Sequence, residues 1–558
     1  MKDTIQIFCE NLGKYVNVAG GETLLEVYLR LKDEIKIHPL CAHVNNKTEG
    51  LGYPLFGPKT IRFIDETNPS AQRMYVRSLC MVLAKAIHDL YPEERLRICH
   101  SVANGYYCTL TPGNRPDEEK VAKIFSRMKE IAATDIPFVR HTKLTTDVVE
   151  VFRQVGLTDK VKLLETIDDI YTVYYTLDDY PDSFYGDLVP STAYVNVFDL
   201  QSYKDGMLLL PPDFLGNLTQ PRQMTRQEKL FGAFTDYTRF NDIVGIGNVG
   251  VLNKGMTNKT NVGMLIAVAE TLHDKAIGRI ADEITRRFHN GGARVVLVAG
   301  PSSSGKTTTT KRLSIHLLAN LIRPQMISLD NYFVDREHTP RDASGDYDYE
   351  SLYALDIEQF NKDLTALLAG EEVAMPTYDF ATGKRIYKGD TLRLDNNSIL
   401  LMEGIHGLNP ELTKSIPDRQ KFKVYVSALT TINIDDHNWV PTTDNRLLRR
   451  IIRDYKYRGA SALDTIRRWP SVRRGEEKWI FPYQENADAM FNSSLLFELG
   501  VMKDFAVPIL KKVPHNVPEY AEAHRLLSFL SYFREIPGEK IPSTSLLREF
   551  LGGSSFKY

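Results

Sequence analysis

The sequence predicts an α/β architecture: a parallel sheet flanked by helices in the C-terminal half, preceded by a small α+β domain and a second α+β domain. Three observations carry this. The apolar run 294–299 leads directly into Gly300-Pro-Ser-Ser-Ser-Gly-Lys-Thr307, with helical spacing from 308 to 321. Residues 325–330 form a short strand pattern that ends in a carboxylate, Asp330. Residues 398–403 are an apolar run that ends in Glu403, followed by Gly404. Strands buried on both faces read as near-continuous apolar runs, and parallel sheets present ligands at the carboxyl ends of their strands.

The elements follow in chain order. Residues 1–68 read as the small α+β unit. Thr4-Ile-Gln-Ile-Phe8 alternates as a strand, Gly20-Gly21 turns, and Leu24, Val27, Tyr28 and Leu31 mark one helical face. Strands at 42–45 and 60–64 follow, and Asn68-Pro69 punctuates a boundary. Residues 69–225 read as the second unit: a helix over 71–91 closed by Pro92, a strand-like stretch at 98–110, a Pro/Gly loop at 111–116, a charged helix over 117–132, and a tyrosine-rich β segment over 168–210. Residues 226–290 read as a helical bridge, with a glycine- and asparagine-rich loop at 244–263 and a long helix over 262–287. The phosphate-loop domain is expected over 291–536. The tail 537–558, punctuated by Pro, Ser and Gly, is expected to dock or to fray.

Composition narrows the class. A chain of 558 residues is too long for one core. Its net charge of −2 argues against nucleic-acid binding driven by bulk charge, and leaves RNA to a local basic patch. Five scattered cysteines without a C-x-x-C pair predict free thiols in a reducing, cytoplasmic setting. The N-terminus carries an early acid and is not expected to be a signal peptide. No apolar stretch reaches membrane-spanning length, so no membrane partner is expected. A homo-oligomer is left open.

The loop at 300–307 is the G-x-x-x-x-G-K-T phosphate cradle in strand–turn–helix context. Gly300 and Gly305 let the backbone curl, so that Ser302, Ser303, Ser304 and the start of the helix at Lys306, Thr307 and Thr308 turn N–H groups toward phosphate oxygens. Lys306 reaches the β- and γ-phosphates, and the Thr307 hydroxyl suits Mg²⁺. These residues predict ATP and Mg²⁺ as cofactors. Asp330, at a strand end, either accepts the proton of an attacking hydroxyl or holds a water on Mg²⁺. Glu403 has the position of an acid that helps hold Mg²⁺. Arg446, Arg449, Arg450 and Arg453 stand at i, i+3, i+4 and i+7, which puts a basic face on one helix; with few acids nearby, the element reads as a lid closing on the phosphoryl group.

Residues 294 to about 500 resemble the uridine kinase/phosphoribulokinase family of P-loop kinases. GPSSSGKT, SLDNYF, GDYDYESLYALD (345–356), PTYDFATGKR (376–385), LLMEG and RRIIRDYKYRG occur in the family's order and at similar spacing. The resemblance implies that Asp330 is the general base and that Asp348 bonds a sugar hydroxyl. It implies that Tyr378 and Phe380 flank the acceptor's ring, that Arg385 and Arg450 contact the acceptor, and that Arg453 and Arg458 serve the phosphates. The family's base-reading histidine is replaced by Gly383, Ala460 replaces an arginine beyond the lid's Arg-Gly, and a glutamine expected near Arg468-Trp469 is absent. The expected function is therefore phosphorylation of a small-molecule hydroxyl, first of a nucleoside, with a sugar, sugar phosphate or polyol as the alternative acceptor.

The first two units resemble the N-terminal half of threonyl-tRNA synthetase, a TGS domain followed by an editing-like domain. Gly21-Glu-Thr-Leu-Leu-Glu26, Val44-Asn-Asn-Lys47 and Gly105-Tyr-Tyr107 carry the resemblance. Arg77 and Met81 stand where the editing helix would place its two histidines, and neither replaces imidazole at zinc. His88, His100 and His141 have no partner at ligand spacing, so no editing hydrolase is expected. A nucleotide-gated RNA-binding protein is the reading from another class.

Overall fold

The computed structural model describes residues 4–112, 115–342 and 345–557. In the first unit, β1 (Thr4–Cys9), β2 (Lys14–Ala19), α1 (Leu24–Leu31), β3 (Cys41–Val44), β4 (Lys47–Gly50) and β5 (Thr60–Ile64) build one sheet in the order β2-β1-β5-β3-β4 with a single helix against it. Thr23 and Glu26 close a reciprocal capping box at the start of α1. The helix buries Leu24, Val27, Tyr28 and Leu31 among Ile7, Val18 and Phe63.

The second unit is organised by α2 (Pro69–Leu90). Asn68 caps it, accepting from the Ser70 N–H at 2.9 Å, and Pro69 starts it. The helix is buried nearly all round, so it forms the unit's centre and not its surface. Around it lie the hairpin of β6 (Arg95–Val102) and β7 (Gly105–Thr111), then α3 (Glu118–Ala133), β8 (Phe138–Leu144), α4 (Thr145–Gln154), α5 (Thr158–Leu164), β9 (Tyr171–Leu177) and β10 (Tyr180–Asp182). A second hairpin, β11 (Asp199–Tyr203) and β12 (Gly206–Leu210), extends the first into a four-stranded sheet ordered β11-β12-β7-β6. The strand-like stretch read over 98–110 is thus two strands, β6 and β7. Ala103 and Asn104 both take positive φ, the conformation of a tight hairpin turn. Gly113 and Asn114, in the loop expected at 111–116, lie outside the described residues.

Three helices lead into the C-terminal half: α6 (Glu228–Ile243), α7 (Val249–Gly255) and α8 (Lys259–His289). The loop expected over 244–263 is largely helical. Its asparagines are caps: Asn248 accepts from Val251 N–H and Asn258 from Thr260 N–H. α8 packs Ile277, Ala281 and Ile284 into the same core as Val296, Val298, Leu313 and Leu317.

The C-terminal half runs through β13 (Val295–Ala299), α9 (Lys306–Ala319), β14 (Arg323–Ser328), α10 (Ile357–Leu368), β15 (Val373–Asp379), β16 (Lys384–Leu392), β17 (Ser398–Glu403), β18 (Lys421–Ser427), α11 (Thr442–Tyr457), α12 (Ala462–Trp479), β19 (Ala489–Asn492), α13 (Glu498–Leu510), α14 (Tyr520–Ser531) and α15 (Arg548–Leu551). Five of these strands form one all-parallel sheet in the order β14-β17-β13-β18-β19. β13 is buried at every residue, as a central strand covered on both faces must be. The tail docks: Leu546 and Phe550 are fully buried against this core. Among the described residues no helix is long and apolar enough to cross a membrane.

The two halves are locked by the loop between β18 and α11. Trp439 enters the core of the second unit and packs on Tyr106. Lys160 places its Nζ 2.9 Å from both Asp182 and Asp435, and His437 Nδ1 lies 2.7 Å from Asp182; all four are buried. The Asp436 N–H donates to Asp159 at 2.6 Å. Near this cluster on α2, the Arg77 guanidinium donates to the Asp187 carbonyl, and Met81 is buried in the core. His88 packs on Tyr180, His100 stacks on Phe234, and His141 bonds Thr176.

Candidate active site

The sheet register brings three chain segments to one rim. Val298 of β13 and Ser328 of β14 both pair with Glu403 of β17, so Gly300, Asp330 and Glu403 leave the sheet side by side. Gly300 can be nothing larger, because a Cβ there would stand 2.0 Å from the Val426 carbonyl. Gly305 takes φ +85 and starts α9, whose first turn supplies N–H groups with no acceptor inside the helix.

Lys306 Nζ lies 3.1 Å from the Pro301 carbonyl, and the Thr307 hydroxyl donates to Glu403 Oε1 at 3.1 Å. Burial depresses the Lys306 ammonium despite Glu403, Glu549, Asp330 and Glu350 around it. Burial raises Glu403 to about 7, with Lys306 opposing. Asp330 is also raised by burial, against the pull of Lys306, Arg458 and Arg453. Each group is pushed toward its neutral form, the behaviour of charges whose counter-ions are the ligand. The Ser303 and Ser304 hydroxyls and one oxygen of Glu350 are buried without a hydrogen-bond partner among the described residues. Carboxylate and hydroxyl oxygens from Asp330, Glu403 and Thr307 are the donor set a hard divalent cation takes, so this rim fits Mg²⁺.

The arginine helix divides into two. Arg450 donates to the Ser302 hydroxyl at 2.7 Å. Asp454 gathers Arg450, Arg453 and Arg458 at 3.3, 2.7 and 3.6 Å. Arg446 and Arg449, however, are fully buried and paired with Glu476 and Glu498. The uniformly basic, acid-poor lid face is therefore corrected. α11 is a core-packed helix, and a guanidinium inside a protein requires a carboxylate. Glu476 also accepts from the Ser302 N–H at 3.1 Å and so braces the phosphate loop.

On the acceptor side, Tyr378, Phe380 and Phe333 pack edge to face. Phe380 stands at the tip of the β15–β16 hairpin, 62 % exposed. Asp348 is tied through its backbone N–H to the Pro340 carbonyl at 2.7 Å. Arg385 pairs with Asp356 at 2.9 Å and so is engaged at the α10 side. Two acids at the site were not singled out from the sequence. Glu350 is raised by burial to about 7, and its Cβ packs on Gly475. Glu549 accepts from Thr308, which is thus already engaged. The acid run around Asp348 was the available signal for Glu350. The apolar pairs Leu546-Leu547 and Phe550-Leu551 signalled that the tail docks.

The sequence pattern of the Phosphoribulokinase / Uridine kinase family matches residues 295–495. A uridine kinase of Staphylococcus aureus (strain Newman) is 29% identical over 195 residues, 35% of this chain and 84% of that one. A threonine–tRNA ligase of Rubrobacter xylanophilus is 29% identical over 190 residues, 34% of this chain, in the N-terminal region. The chain spans only 29% of that ligase's length. A solved structure described as a possible uridine kinase from Bacillus stearothermophilus aligns at 22% identity and a TM-score of 0.25, covering 36% of this chain and 89% of that one. The C-terminal half thus matches the phosphoribulokinase/uridine kinase family over residues 295–495, and the N-terminal part is similar to threonine–tRNA ligase.

Proposed function

We propose that this chain is an ATP-dependent phosphotransferase acting on a hydroxyl of a small molecule, with a nucleoside as the first candidate acceptor. The observation that carries the reading is the convergence of Lys306, Asp330 and Glu403 on one rim of a parallel sheet. The loop N–H groups and Lys306 would hold the triphosphate, and Thr307, Glu403 and Asp330 would hold Mg²⁺, which when bound neutralises phosphate charge. Asp330 would accept the acceptor's hydroxyl proton as that oxygen bonds the γ-phosphorus and the bond to the bridging oxygen breaks, leaving ADP. Arg450, Arg453 and Arg458 would steady the charge on the moving group. Tyr378 and Phe380 would flank the acceptor, with Asp348 on its hydroxyls. Five free cysteines suit a reducing, cytoplasmic setting.

A second acceptor class, a sugar, sugar phosphate or polyol, is favoured by one contact. Gly383 takes φ +70, and a Cβ there would stand 2.7 Å from Arg336 Nε, so an arginine fills the space beside Phe380. An ADP-release screen over nucleosides, pentoses, sugar phosphates and polyols separates the two. Asp330→Ala is expected to cut turnover about 10²–10⁴-fold while ATP binding stays nearly intact. Equal turnover in that variant removes Asp330 from the base role.

A further inference from the structure

The phosphate loop already holds an anion, and the chain itself supplies it. Glu549 Oε2 accepts from the Thr308 N–H at 3.1 Å and from the Thr308 hydroxyl at 2.7 Å. Thr308 is in the first turn of α9, directly after the Gly305-Lys-Thr of the cradle. The same carboxylate is within electrostatic reach of Lys306 and Glu403. Glu549 lies well beyond the family match, which ends at residue 495.

The tail is held at several anchors around this residue. Leu546 packs over Gly305, where an added Cβ would stand 2.6 Å from its Cδ2. Leu546 and Phe550 join the sheet core, and Leu547 and Leu551 join the helical core around α11. The Arg449 guanidinium lies 5.1 Å from the Phe550 ring centre, and Lys456 Nζ donates to the Leu551 carbonyl at 2.5 Å. The tail therefore bridges the phosphate loop and the arginine-bearing helix. Of the two charged residues between its apolar anchors, Arg548 turns back onto the Gly538 and Ile541 carbonyls and Glu549 points at the anion site.

A carboxylate on the N–H groups of a helix start offers the same chemistry as a phosphate oxygen. A triphosphate threaded through the 300–308 cradle brings its own oxygens to those donors. The two anions compete for one set of hydrogen bonds and repel each other in a half-buried site. We propose that the C-terminal tail is an autoinhibitory strap: Glu549 stands in for a nucleotide phosphate on Thr308 and must withdraw before the nucleotide seats. This rests on the kinase reading of the phosphate loop.

The test uses the full-length chain, with MgADP titrated by calorimetry into the wild type, Glu549→Gln, Glu549→Ala and Lys306→Ala. Removing the competing charge should tighten ADP binding by roughly tenfold or more in both Glu549 variants, the scale of one charge-assisted hydrogen bond. Lys306→Ala should weaken it. Affinity in Glu549→Gln that is equal to or below wild type overturns the strap: Glu549 would then be only a helix cap. If Lys306→Ala loses binding in that same experiment, the kinase reading stands without the strap. If no folded form binds MgADP, both readings fall. Hydrogen exchange on the wild type gives an answer that needs no variant. Saturating MgADP should deprotect residues 546–551, and unchanged or increased protection there overturns the proposal.

Discussion

Two clusters of buried charge, one at the joint between the halves and one along the phosphate loop, behave in opposite ways. At the joint, burial works against ionisation of Asp182, yet Lys160 and His437 hold it down at about 2. Lys160 and His437 are raised in turn: burial pulls each down, and the surrounding acids together outweigh it, Asp182, Asp435 and Asp159 at Lys160 and Asp182 with Asp159 at His437. Asp435, the second acid on Lys160, is raised by burial. Along the phosphate loop, Glu403 and Glu350 rise to about 7, Asp330 rises and Lys306 falls, all led by burial. The first cluster has its partners inside the protein, at 2.7–2.9 Å. The second has hydroxyls and a carboxylate oxygen with no partner. Completed ion pairs keep their charges and hold structure together. An incomplete set gives its charges up until a ligand arrives, and that incompleteness marks a site.

Substitution at one charged residue in each place tests this most severely. Asp182→Asn leaves Lys160 and His437 buried beside one fewer carboxylate, a loss of about 3–5 kcal/mol. That corresponds to a fall of roughly 10 °C in the thermal midpoint of this part of the chain. Lys306→Ala removes a depressed ammonium from a rim that gains little from it without ligand. It should leave the midpoint within a few degrees of wild type while nucleotide binding is lost. Scanning calorimetry of the two variants decides the matter, and an Asp182→Asn protein that melts with the wild type breaks the contrast.

The pH dependence carries the contrast at intermediate size. A carboxyl raised in the folded state keeps a proton that the unfolded chain has released. Glu403 therefore costs stability as pH rises from its ordinary value of 4.5 to about 7, and the cost is constant above that. Asp182 runs the other way: its contribution is complete above 3.8 and is lost as pH falls toward 2. Glu403→Gln should therefore melt with the wild type near pH 4.5 and roughly 2–4 °C above it at pH 8. Mg²⁺-dependent turnover should be lost in the same variant. Parallel melting curves from pH 4.5 to 8 would show that the rim does not hold Glu403 protonated.

What the sequence made legible was local. The apolar runs of β13 and β17, the glycine spacing of the cradle and the acid at a strand end are each written within a few consecutive residues, so each pattern survives without tertiary information. Pairing partners far apart in the chain did not show. Arg446 meets Glu476 and Arg449 meets Glu498, 30 and 49 residues on, which is why four arginines at helical spacing read as one basic face. The stretch 244–263 misled for another reason. Asparagine and glycine are common in loops, but Asn248 and Asn258 act here as helix caps. Glu549 was out of reach because its partner, Thr308, lies 241 residues before it.

Asp454 joins the two kinds of charge and predicts the smallest effect. It is buried and paired, like the acids at the joint, yet the three groups it holds are the arginines that face the phosphate loop. Asn at this position keeps the shape and removes the charge. Arg450 retains its hydrogen bond to Ser302, so the phosphate loop keeps one brace, while Arg453 and Arg458 lose their common counter-charge and become free to splay. The rim also becomes more positive, which favours a polyanionic nucleotide. Asp454→Asn should thus lower kcat about fivefold, close to 1 kcal/mol of positioning, with KM for ATP unchanged or lower. A purely structural acid would shift the melting temperature and leave kcat of the folded enzyme alone. If steady-state kinetics show KM rising at constant kcat, Asp454 serves nucleotide binding and does not aim the arginines at the transferring group.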